Sequence, residues 1–138
     1  MTTKKHTATL LLLMFVGLAG LAHAQIDTSI KAQIPFAFVA NGKTMPSGEC
    51  AIQIMVNGRT VLSISSGNQH LFAFPIADES SNRSNNATLV FHRYGDRYFL
   101  AAIKGAGIGY KLPASQLERR QRAGNVPREV FTVLASVE

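Results

Sequence analysis

With 138 residues, 46% of them hydrophobic, and 14 basic side chains against 8 acidic ones for a formal charge of +6, the chain has the length of one globular domain and is too apolar for intrinsic disorder. Its one cysteine, Cys50, excludes an internal disulfide framework, so stability must come from a packed core. Two of the four histidines, His6 and His23, fall near the start, which leaves His70 and His92 as the side chains able to exchange protons near neutrality within the body of the chain.

Lys4, Lys5 and His6 precede an apolar run from Ala8 to Ala22, and the stretch closes on Ala22-His23-Ala24, the small-x-small pattern that signal peptidase cleaves. The run is shorter than the roughly 20 apolar residues of a spanning helix and contains Gly17 and Gly20. A signal peptide over residues 1–24 is therefore expected, followed by a β-rich domain over 25–138 that is exported to the periplasm or secreted and has no membrane span after cleavage. No cysteine follows the apolar run, which argues against a lipid anchor. Cleavage removes two of the 14 basic residues and lowers the formal charge from +6 to +4.

From Ser29 to Ile103 strand signals dominate. Ile30, Ala32, Ile34, Phe36 and Phe38 recur at every second position, which places them on one face of a sheet. Pro35 between them cannot donate to a ladder, so this segment reads as an edge strand or as one carrying a bulge. Asn41-Gly42 and Pro46-Ser47-Gly48 supply turns before Cys50, Ile52, Ile54 and Val56 resume the alternation. That alternation favours a buried Cys50 thiol over an intermolecular disulfide.

Asn57-Gly58 is a hairpin signal of the type I′ kind, in which both central residues take positive φ. A strand over about Thr60 to Ser65 follows. The run His70 to Ile76 is apolar on both faces, with Phe72, Phe74 and Ile76 against Leu71, Ala73 and Pro75, and is expected to be covered on both sides. Asp78 to Asn86 is wholly polar and reads as a solvated loop; Asn82-Arg83-Ser84 and Asn86-Ala87-Thr88 within and after it match glycosylation acceptors, which matter only in a eukaryotic host.

The stretch Leu89 to Phe99, LVFHRYGDRYF, has the polar density of an active site. With Gly95-Asp96 as the centre of a tight turn, opposed residues share a constant index sum: Tyr94 faces Arg97, Arg93 faces Tyr98, His92 faces Phe99, Phe91 faces Leu100 and Leu89 faces Ala102. Each arginine then lies beside a tyrosine, where a guanidinium over a ring contributes about 0.5–1 kcal/mol. Four of the six polar residues are accounted for structurally, and Asp96 is an ordinary turn residue. His92 is left, beside Phe99 on a half-apolar face. If the stretch is functional instead, it forms an anion or ligand patch built from His92, Arg93, Tyr94, Arg97 and Tyr98.

Gly105-Ala106-Gly107-Ile108-Gly109 lacks the spacing of a dinucleotide loop and the Gly-Lys-Ser/Thr ending of a P-loop, and reads as a flexible connection. Pro113 and Gly124 bracket a helix of about ten residues, Ala114 to Ala123. Arg119, Arg120 and Arg122 on it form a solvated face or attract an anionic partner; export argues against nucleic acid. A last strand, about Glu129 to Val137, is rich in β-branched residues. The fold class is thus all-β, a single antiparallel sandwich or small barrel of about seven strands with one short helix in its C-terminal half.

No Gly-x-Ser-x-Gly elbow or His-Glu-x-x-His zinc helix is present, and neither His70 nor His92 has metal-ligand spacing to another donor. No catalytic residue, metal site or cofactor is therefore assigned. Ile34-Pro35-Phe36-Ala37-Phe38 with Pro46-Ser47-Gly48, the hairpin Phe91-His92-Arg93-Tyr94-Gly95-Asp96, and Lys111-Leu112-Pro113-Ala114-Ser115 followed by Glu118-Arg119 together resemble a family of small exported bacterial proteins frequent in acidobacteria, over nearly all of the mature chain. The chain departs from that pattern at Cys50, where a tyrosine is usual, and at Ile103-Lys104, where an Ile-Trp pair is usual. The resemblance implies export and a compact β fold and carries no activity or site. The expectation is an exported non-catalytic β domain with a binding or structural role at the cell envelope or outside it, its partner unidentified, with an anionic partner suggested by the basic helix. The alternatives are a periplasmic carrier of an apolar ligand, suggested by Phe72, Phe74, Phe91 and Phe99, and a small hydrolase using His92.

Overall fold

The computed structural model describes residues 28–79 and 84–138. The expected signal peptide and most of the acceptor triplet at Asn82 lie outside the described residues. Among the described residues, eleven strands and one helix follow in chain order: β1 Thr28–Ile34, β2 Phe38–Ala40, β3 Lys43–Met45, β4 Gly48–Asn57, β5 Arg59–Ser66, β6 Gln69–Ala73, β7 Ile76–Ala77, β8 Ala87–Tyr94, β9 Arg97–Gly105, β10 Ile108–Lys111, α1 Gln116–Ala123 and β11 Arg128–Val137. Among the described residues no helix is long and apolar enough to cross a membrane.

The strands run in the order β3-β2-β9-β8-β11-β1-β4-β5-β6, with β10 also on β9 and β7 on β10. All pairings are antiparallel except β2 with β9. The two ends of this path meet through side chains: Asn41 Nδ2 donates to the Phe72 carbonyl at 3.0 Å, Lys43 Nζ to the His70 carbonyl at 3.1 Å, and Ser66 Oγ to the Pro46 carbonyl at 2.7 Å. The result is a nearly closed barrel, all-β with one short helix as expected, with one parallel contact in place of a purely antiparallel sheet.

Several boundaries differ from the sequence reading, each for a local reason. β1 stops at Ile34, so Pro35 sits in the bend to β2 and the ladder never needs its missing N–H. This frees β1 to lie between β11 and β4 and not at an edge. The β4–β5 register centres on Gly58, with Asn57 opposite Arg59; Gly58 takes positive φ and Asn57 does not, so the turn is not type I′. Gly105 to Gly109 forms the tight β9–β10 hairpin and not a flexible connection. Ala106 and Gly107, at its centre, both have positive φ, as type I′ requires.

The interior is filled by Ile30, Ile34, Phe38, Met45, Ile52, Leu62, Ile64, Leu89, Phe91 and Ile103, each essentially inaccessible. Each such side chain contributes about 1.5–3 kcal/mol through removal of apolar surface from water. Cys50 belongs to this core, and burial pushes its thiol up to about 11. β6 departs from expectation: Leu71 and Ala73 are buried, but Phe72 and Phe74 are 52% and 56% exposed and Ile76 60%. Its outer face is uncovered. Of the four phenylalanines that suggested a carrier, only Phe91 faces the interior core; Phe99 packs with Tyr94 in a separate cluster.

A candidate cleft beneath the helix

The β8–β9 hairpin turns at Gly95, whose φ is +59°, and the register from Tyr94–Arg97 to Phe91–Leu100 follows the constant index sum. Between Val90 and Phe91 the register shifts by one residue. Ala101 is the extra residue, so Val90 faces Ala102 and Leu89 faces Ile103 in place of the expected Leu89–Ala102 pair. The bulge moves Ala102 from the core face to the face of Val90 and His92. Two small side chains, Ala101 and Ala102, then floor a cleft that a larger residue would fill.

Helix α1 covers that cleft. Ser115 is its N-cap, and Ser115 Oγ accepts from the Glu118 N–H at 3.2 Å. Ser115-x-x-Glu118 has the spacing of a capping box, but the Glu118 carboxylate turns instead to the sheet. It is buried, 4% exposed, and its Oε1 lies 2.8 Å from His92 Nδ1. The Tyr94 hydroxyl donates to the same oxygen at 3.2 Å, and Arg122 Nη2 lies 3.4 Å from it. Arg122 Nε in turn donates to the Tyr94 hydroxyl at 3.0 Å, a bond that raises the already high Arg122 pKa. In the tautomer whose Nδ1–H donates to Glu118, Nε2 is the nitrogen left over.

A second buried acid pairs with two cations of the cleft. Asp78, expected in a solvated loop, is 7% exposed and pairs with Lys104 Nζ at 3.4 Å and Lys111 Nζ at 3.5 Å. Its N–H donates to the Gly109 carbonyl at 2.9 Å, which pins the end of the β7 strand to β10. The cleft, about 240 Å³, is lined by Val90, His92, Ala101, Ala102, Lys104 and Lys111, with Leu112, Ala114, Glu118 and Arg122 closing it from the helix side.

The five residues of the anticipated patch do not form one site. His92 lines the cleft, and Tyr94, 2% exposed, supports it from below. Arg93 lies 5.5 Å from the Tyr98 ring centroid and 5.6 Å from that of Phe131, its Nε donating to the Gly95 carbonyl at 2.7 Å. Tyr98 stacks on Phe36 at 3.7 Å between centroids. Arg97 is exposed beside a separate dent that also borders Asp96 and Tyr98. The expected pairing of Arg97 with the Tyr94 ring is not made, because that ring turns inward against Phe99 and its hydroxyl goes to Arg122 and Glu118.

Sequence reasoning missed Glu118, Lys104, Lys111 and Asp78, and had Arg122 only as part of a basic helix face. The Ser115-x-x-Glu118 spacing is a signal for a helix start alone, and nothing local signals that helix and hairpin meet. His70 makes a separate pair, its Nε2 2.8 Å from Ser63 Oγ. Among the described residues no three metal-ligating side chains come together. The chain matches no family model, no curated protein and no solved structure.

Proposed function

We propose that the chain is an exported, non-catalytic β domain that binds a small organic anion in the cleft between α1 and the β8–β9 hairpin. Export rests on the basic start, the apolar run Ala8 to Ala22 and its Ala22-His23-Ala24 ending. The observation that carries the binding reading is the partition of charge around the cleft. Both acids, Glu118 and Asp78, are buried and occupied by cations, whereas the side chains of Lys104, Lys111 and Arg122 remain 35%, 57% and 47% exposed. An entering ligand meets three cationic groups over a small apolar floor of Val90, Ala101, Ala102 and Leu112. That combination and a volume of about 240 Å³ suit a carboxylate or phosphate on a short apolar body.

The test is a thermal-shift and calorimetric panel of small carboxylates and phosphates on the wild-type protein and on Lys104→Ala and Lys111→Ala. A ligand whose binding both variants weaken supports the reading; binding that neither affects, or no binding across the panel, refutes it. The His92–Glu118 contact favours one second reading, in which an oriented imidazole acts as a general base on a substrate in the same cleft. His92→Asn separates the two. Its amide replaces the Nδ1 donor, so a binding module keeps its affinity while a hydrolase loses turnover.

A further inference from the structure

Phe72, Phe74 and Ile76 follow one another at every second position on the outer side of the barrel, each more than half exposed. The neighbouring outward residues extend this row. Phe72 pairs across the ladder with Ser63, which is buried, and on the adjoining strands the partly buried Val61 and Met55 pair and continue the apolar surface. A His70 ring edge meets Phe72 at 4.7 Å. Cations border the row: the Arg59 guanidinium lies 5.5 Å from the Phe74 centroid, Lys43 Nζ is held at the His70 carbonyl, and Lys111 faces Ile76 across the β7–β10 pair. Glu79 is the exposed acid nearest in sequence, three residues beyond Ile76.

From this juxtaposition we propose that the Phe72–Phe74–Ile76 face docks on an anionic lipid surface, the aromatic rings entering the headgroup boundary and Arg59 and Lys43 meeting lipid phosphates. Two observations select a bilayer over other occupants. The backbone edge of β6 is already capped, since Asn41 and Lys43 take the Phe72 and His70 carbonyls, so the side-chain face and not the strand edge is on offer. The exposed side chains are wholly apolar and their polar neighbours at the rim are cations, the arrangement of a surface that enters an acyl boundary while its border meets anionic headgroups. The surface is thus apolar at its centre and positive at its border, which complements an anionic bilayer.

The chain contains no tryptophan, so Phe72→Trp introduces a single reporter at the centre of the face. With vesicles of phosphatidylglycerol and phosphatidylcholine, its emission is expected to shift to the blue and to be quenched by brominated acyl chains. The response should fall several-fold in 0.5 M salt or with Arg59→Ser and Lys43→Ser, since surface attraction is screened. Leu134→Trp, a still more exposed apolar position on β11, is expected not to respond. Emission of Phe72→Trp that is unchanged by anionic vesicles overturns the proposal, as does an equal response from Leu134→Trp. Quenching of the Phe72→Trp reporter by a soluble acidic polysaccharide and not by vesicles also overturns it. Lys111 is the one residue shared with the cleft beneath α1, and none of these variants changes it, so either result leaves the proposed function standing or falling by itself.

Discussion

His92 and Glu118, 26 residues apart, meet with Nδ1 and Oε1 at 2.8 Å where the helix lies over the hairpin. The contact joins the two parts of the chain that form the cleft and makes Glu118 the centre of a buried polar cluster. Removing a carboxylate from such a cluster leaves its donors unsatisfied. Glu118→Ala is expected to lower stability by about 1–3 kcal/mol, since it leaves the donors around it unsatisfied, and Tyr94→Phe by about 1 kcal/mol for one lost hydrogen bond. A double-mutant cycle between His92 and Glu118 in chemical denaturation measures their coupling. A coupling near zero means that the pair does not tie α1 to the sheet.

The two arginines of the hairpin are expected to differ sharply. Arg93 bonds the Gly95 carbonyl and lies against Tyr98 and Phe131, so Arg93→Ala should cost about 1 kcal/mol. Arg97 is exposed and makes no comparable contact, so Arg97→Ala should stay within about 0.5 kcal/mol of wild type. Urea midpoints for the two variants decide the matter; equal losses would place the guanidinium packing elsewhere.

Glycine positions give a second ordering. At Gly105, with φ of +94°, an added Cβ would lie 2.1 Å from the Asn86 carbonyl oxygen, a backbone atom that cannot swing aside. At Gly95 the φ is +59° but the space around a Cβ is open. Gly105→Ala is therefore expected to cost more than 3 kcal/mol or to abolish folding, on the order of strain plus a forced backbone shift. Gly95→Ala should cost about 1–2 kcal/mol from the left-handed backbone alone. Reversal of this order in melting experiments would contradict the hairpin packing at Asn86.

Cys50 is expected to resist thiol reagents in the native protein at pH 8 and to react at once in denaturant, because burial pushes the thiol up to about 11. The ordinary value is 9.0, so the protonated thiol is favoured more in the folded state than in the unfolded one. Its contribution to stability is full below about pH 9 and is lost as pH rises towards 11. Cys50→Ala should remove that alkaline component while creating a small cavity. Rapid native labelling at pH 8 would show that the thiol is reachable.

What the linear chain determined is whatever depends on near neighbours. The two-residue alternation of Ile30, Ala32 and Ile34, and of Cys50, Ile52 and Ile54, specifies buried strand faces, and Gly95 specifies a turn, because pleat and φ are local constraints. Pro113 and Gly124 bracket the helix for the same reason. The site was decided elsewhere. Whether Phe72 is covered depends on which strand lies beyond β6, and whether Glu118 caps its helix or meets His92 depends on how α1 settles on the sheet. The one-residue bulge at Ala101 decides whether Ala102 faces core or cleft. Contacts between residues 26 positions apart arise when the whole barrel buries its apolar faces at once, and no local pattern encodes that balance.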